Sequence, residues 1–178
     1  MIFEEVFSFK LQQFFSKENQ ELLVFGFLLF TLPMLISNQL ILGTIVNALL
    51  IKLSISYKSK KVFLFSFLPS FAVITSGILF GVLNQYLVFM IPIIWFGNLS
   101  LMVFLKKFFV KMKKVFFLSV IFSGAIKTIL IFSGAFFLFN FGLIPVSFLT
   151  IFGVTQFFTV LSGAIIVKFS AKKFLLQN

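Results

Sequence analysis

The sequence predicts an all-α, polytopic integral membrane protein, one bundle of six transmembrane helices with both termini cytoplasmic. Hydrophobic residues make up 61% of the chain and the mean hydropathy is +1.19, far more apolar surface than a soluble core of this length requires. The apolar residues fall into six runs, at about 20–37, 39–57, 61–80, 85–105, 115–139 and 144–168. Each is near the ~20 residues that cross ~30 Å of hydrocarbon, the first being short. The lysines sit at alternate junctions between those runs, the pattern by which membrane proteins encode orientation.

Residues 1–19 place Phe3, Phe7, Leu11 and Phe14 three or four apart, with Glu4, Glu5, Lys10 and Lys17 between them. This spacing suits an amphipathic segment lying among lipid headgroups, and equally a partly ordered tail before the first span. The early acidic pair argues against a signal peptide, which begins basic. The six-helix bundle then occupies 20–168. In the first run Pro33 stands near one end, and Ser37, Asn38 and Gln39 form a polar turn into the second. Pro145 opens the sixth run, where its missing N–H is harmless. Residues 169–178 form a basic cytoplasmic tail.

Lys10 and Lys17 precede the first run, and Lys58, Lys60 and Lys61 follow the second. Lys106, Lys107, Lys111, Lys113 and Lys114 follow the fourth, and Lys168, Lys172 and Lys173 the sixth. All belong to one face, and the opposite turns, near 37–39, 81–85 and 140–144, carry none. Lys52 lies near the cytoplasmic end of its helix and can snorkel. That leaves Lys127, in the middle of an apolar run.

The net charge of +11 would suggest nucleic acid in a soluble protein. Here the lysines have an orienting role, and the chain has no Arg to read phosphate or guanine bidentately, so nucleic acid is excluded as a partner. Neither Cys nor His occurs, which removes disulfides, thiolate chemistry, iron–sulfur clusters and zinc. With no Asp and no Glu beyond Glu21, acid–base catalysis would rest on Lys127 alone. The expectation is a non-enzyme with no metal, no cofactor and no catalytic residues. A phosphate-binding Gly-x-x-x-x-Gly-Lys loop is also missing.

An ionisable side chain at the bilayer centre costs roughly 2.5–3.5 kcal/mol on insertion scales and usually marks a substrate or ion pathway. Counting from the expected ends of their runs, Asn98, Lys127 and Gln156 lie about 16–20 Å deep at 1.5 Å per residue. Three helices thus bring two amides and an ammonium to one level. Thr128 and Thr159 are close to it, Trp95 is about one turn from Asn98, and Asn47 is somewhat nearer the outer surface. These seven are the candidate substrate-binding residues, and Asn38, Gln39, Asn84 and Gln85 are candidates for an outer rim. Buried amides also serve simply to tie helices together, Trp95 also reads as core filler, and amides and carbonyls alone can hold a lysine. Ser-Gly-Ala recurs at 123–125, 133–135 and 162–164, and Gly77 and Gly81 share small-xxx-small spacing. Close helix packing accounts for both.

The segments NQLILGTIVNALLI (38–51), LPSFAVITSG (68–77), MIPIIWFGNL (90–99), GAIKTIL (124–130) and TQFFTVLSGAII (155–166) resemble blocks of the S components of energy-coupling factor (ECF) transporters. The likeness is greatest to a branch whose relatives are sometimes labelled hydrogenase-associated. It covers about 38–166. The resemblance implies a six-helix plasma-membrane subunit that captures a vitamin or similar micronutrient from outside. It also implies docking with a T subunit and an ATPase pair that supply the energy. Asn47, Asn98, Lys127, Gln156 and Thr159 fall in the matching blocks. Two departures stand out. Residues 22–36 contain no Ala, so the family's Ala-xxx-Ala docking motif is missing, and no signature of a particular vitamin is present.

The expected function is therefore substrate capture for an ECF-type importer, with a small anionic ligand bound between the midplane and the outer face. Its rivals are a structural or assembly subunit of a membrane complex and a small self-contained channel or exporter.

Overall fold

The computed structural model describes residues 16–78 and 81–170, and within them every regular element is helical. Seven α-helices follow in order: α1 (Lys17–Leu35), α2 (Gln39–Ser56), α3 (Leu68–Ser76), α4 (Asn84–Leu105), α5 (Phe116–Asn140), α6 (Ser147–Phe152) and α7 (Val154–Ser170). Short 3₁₀ helices at Lys60–Ser66 and Gly81–Leu83 and a π-helical turn at Lys106–Lys111 join them. The amphipathic segment expected in 1–19 lies largely outside the described residues, which take up the chain at Ser16, the cap of α1. Nearly all of the 169–178 tail lies outside them too.

Four stretches are long and apolar enough to cross a membrane: Gln39–Ser56, Asn84–Lys111, Phe116–Asn140 and Ser147–Ser170. The burial pattern agrees. Leu23, Phe27, Phe96, Ile129 and Phe137 face outward, while Asn47, Ser54, Asn98, Ser123, Lys127 and Thr159 are buried. Apolar residues outside and polar residues within is what lipid selects, because a polar group facing hydrocarbon finds no partner. This is a membrane protein.

The other two expected spans take a different form. α1 has the length, but Lys17, Glu18 and Glu21 occupy its first turns. The third run is not one helix. It begins as the 3₁₀ helix Lys60–Ser66 and restarts as α3, whose first turn contains Pro69. Proline fits that first turn because the N–H it lacks would be unpaired there anyway. Gly77 ends α3 at φ +66 and Gly81 has φ +51, so each takes a left-handed backbone conformation, and neither makes the close helix contact their spacing suggested. The sixth run is broken as well, at Gly153 between α6 and α7.

α2 packs chiefly on α7, α4 on α5 and α1 on α3, while α5 also meets α7 and α2 meets α4. The Ser-Gly-Ala glycines make the close contacts. A methyl on Gly124 would stand 2.9 Å from Val160 Cγ1, and one on Gly163 would stand 2.8 Å from Ala48 N. Ser54 Oγ donates to Met102 O at 2.7 Å, binding α2 to α4.

The lysine-rich end has its own ties. Lys106 Nζ donates to Tyr57 O (2.7 Å) and Lys58 O (3.1 Å), placing a cation on the carbonyls just past α2. Tyr57 Oη donates to Glu21 Oε2 at 2.7 Å, and burial and that hydrogen bond push the phenol pKa up, so it stays a donor. Lys52 is exposed with its Nζ 5.6 Å from the Phe25 ring centre, as expected for a snorkelling lysine.

Candidate functional site

Lys127 is 2% exposed and among the largest fully buried side chains in the protein. α5 delivers it to the centre of the bundle because its helical neighbours Ser123, Gly124 and Ile131 share the inward stripe. Its Nζ donates to Asn47 Oδ1 at 2.6 Å. With the amide oxygen facing the ammonium, the amide nitrogen faces the other way and donates to Thr159 Oγ1 at 3.0 Å. The Thr159 hydroxyl then donates to Gln156 O at 2.9 Å. One relay of donors runs from α5 through α2 to α7, each bond polarising the next.

This relay corrects the expected geometry in one respect. The residue that meets Lys127 is Asn47, placed nearer the surface from sequence, and not Asn98 or Gln156. α2 and α7 press together at Gly163, and that approach brings Asn47 against Thr159. Glu21 offers Lys127 nothing, being held by Tyr57 at the lysine-rich end.

Beside the relay lies a cavity of about 80 Å³, into which Lys127, Asn47, Asn98 and Gln156 all open. On the scale where one water needs roughly 10–15 Å³, it holds a few waters or a compact group. Asn98 is fixed by donating from Nδ2 to Ser66 O at 3.2 Å, which satisfies a carbonyl at the break between the 3₁₀ helix and α3. Gln156 comes from the first turns of α7, just past Gly153. Two interrupted helices, α3 and α7, thus begin at the cavity wall. Such beginnings carry partial positive charge.

The remaining candidates divide. Thr159 stands behind Asn47 as part of the relay. Gln39 lines the cavity from the start of α2, as a rim residue should. Asn38 is instead the N-cap of α2, its Oδ1 accepting from Ile41 N at 3.1 Å. Asn84 donates to Ile74 O at 3.2 Å across the α3–α4 turn, and Gln85 is exposed; neither lines the cavity. Trp95 packs edge-on against Phe67 (5.7 Å between ring centres) and beside Phe96, away from the cavity. Thr128 borders a separate groove, with Phe132, Gly153 and Phe157 at the α6–α7 break.

Ser70 was not singled out from sequence. It is 4% exposed, lines the cavity from the first turn of α3, and its Oγ has no hydrogen-bond partner among the described residues. Pro69 was the available signal: a proline inside an apolar run marks a helix start, and its successors occupy the first turn.

The chain matches no protein-family model, no curated protein and no solved structure.

Proposed function

We propose that this chain is the substrate-capture subunit of an ECF-type importer, binding a small anionic micronutrient and passing it to a T subunit and ATPase pair. The observation that carries the reading is a buried lysine beside a cavity, held by an amide and, among the described residues, facing no carboxylate. A membrane protein that needed only rigidity could tie α2, α5 and α7 with neutral amides and avoid desolvating a cation. The resemblance in segments 38–51, 90–99, 124–130 and 155–166 supports the same reading, since those segments supply the relay and most of the polar lining.

In this reading the chain crosses the plasma membrane six times, with α1 and the 3₁₀–α3 unit as the two less regular crossings. The lysine-rich end is cytoplasmic and the cavity's Gln39 end faces outside. Single cysteines at Ser37 and Met112, both exposed and at opposite ends, test this in the cysteine-free chain. In intact cells an impermeant maleimide should label Ser37→Cys only. Labelling of both positions overturns the six-crossing arrangement.

A structural or assembly role is the second reading, favoured by the Lys127–Asn47–Thr159 relay, which joins three helices without any ligand. Purification in mild detergent followed by native mass spectrometry separates the two. Capture predicts a stoichiometric small molecule, together with a second multispanning protein and an ATPase pair in the tagged complex. Large subunits without any small molecule would establish the structural role. Uptake by this chain alone in liposomes without ATP would establish a self-contained transporter.

A further inference from the structure

Apart from Gln39 at the mouth, the polar groups of the cavity lie deeper than most of its apolar ones. Gln39 opens α2, Leu42 lies a turn further in, and Asn47 is about 12 Å from Gln39 along the axis. On α4, which runs the same way, Leu87 is near the start and Asn98 about 16 Å beyond it. The floor is therefore Asn47, Ser70, Asn98, Lys127 and Gln156. The walls toward the lysine-poor end are Leu42, Val73 and Leu87, with Val46 beside Asn47 at the floor.

The floor also has capacity to spare. Asn47 is engaged through both its oxygen and its nitrogen. An ammonium has three N–H donors and Lys127 gives one to Asn47, while the Ser70 hydroxyl has no partner among the described residues. Both line the same space. A buried hydroxyl without a partner is a standing cost that a ligand oxygen would remove.

We infer that the site takes a compact amphiphilic carboxylate, bound anion-first. Its carboxylate meets Lys127 and Ser70, and its apolar body lies against Leu42, Val73 and Leu87. This rests on the capture reading and specifies its substrate class. A single lysine balances one negative charge. A phosphate monoester brings about −1.5 to −2, more charge than one ammonium balances. The apolar walls favour a ligand with a hydrocarbon body, each buried methylene contributing about fourfold in affinity.

The probes are propanoate, butanoate, pentanoate and hexanoate, with hexanamide and inorganic phosphate as controls, titrated calorimetrically into the purified protein in detergent. Affinity should rise about fourfold per methylene until the walls are filled. Hexanamide should bind at least about tenfold more weakly than hexanoate, because it lacks the charge-assisted contact, and phosphate should give no heat. Ser70→Ala should weaken hexanoate about 3–10-fold while leaving the melting temperature of the empty protein unchanged or raised, since the hydroxyl has no partner to lose. The inference is overturned if no carboxylate binds, if hexanamide matches hexanoate, if phosphate binds best, or if Ser70→Ala leaves affinity unchanged. A stoichiometric molecule of another class in the mass spectrum would sink this inference and leave capture standing. A protein that carries neither a small molecule nor the importer's partners would sink both.

Discussion

Replacing Lys127 with methionine should weaken ligand binding on the order of 10–100-fold, the equivalent of about 1.5–3 kcal/mol for a charge-assisted contact. The fold should persist. Methionine keeps most of the length of the side chain and removes an ammonium whose insertion costs roughly 2.5–3.5 kcal/mol. Against that gain, Asn47 Oδ1 loses its 2.6 Å donor, a penalty of about 1–3 kcal/mol that cavity water can reduce. The two terms nearly cancel, so the melting temperature should move little while affinity falls. Asn98→Leu and Gln156→Leu each remove neutral hydrogen bonds only, and should weaken binding about 3–10-fold. Calorimetry and thermal melts on the same preparations check the pairing of effects. Normal affinity in Lys127→Met would place the site elsewhere, and a bundle that fails to assemble without Lys127 would make the relay structural.

What could be read from the sequence follows from which forces are local. Membrane residence and the four long apolar helices rest on composition over about 20 residues, so α2, α4 and α5 begin and end within a residue or so of the expected runs. The burial of Asn98, Lys127 and Thr159 could be read for the same reason: polar residues deep in apolar runs have no comfortable lipid-facing position. Pairing could not. That Lys127 meets Asn47 depends on α2 lying against α7, a contact between segments more than a hundred residues apart that no local pattern announces. The breaks at Phe67 and Gly153 were also missed, although Pro69 and Gly153 were visible, because hydropathy is blind to a helix that stops and restarts without leaving the membrane. Those breaks place Ser70 and Gln156 at the cavity. The residue overlooked was therefore one whose position a break decides.

Gly163→Ala should destabilise the bundle by about 1–3 kcal/mol, the usual range for overpacking, and weaken ligand binding with it. A Cβ there would stand 2.8 Å from Ala48 N, 2.9 Å from Thr44 O and 3.2 Å from Asn47 C. All three are main-chain atoms of α2, so no rotamer change relieves the clash and the helices must separate. The separation falls one turn from Thr159, whose Oγ1 accepts from Asn47 at 3.0 Å, so the relay that positions Lys127 lengthens too. Gly97→Ala is the informative control. Its Cβ would collide with Ile131 Cγ1 and Cδ1, which belong to a side chain. Trimming that neighbour with Ile131→Ala should recover much of the loss, giving a clear coupling energy in a double-mutant cycle. No single trimming on α2 should rescue Gly163→Ala, because the obstacle is backbone. Thermal melts in detergent, with hexanoate affinity measured on each variant, read out both effects. A Gly163→Ala protein that melts like the parent would mean that α2 and α7 do not approach this closely, and the Asn47–Thr159 link would fall with that contact.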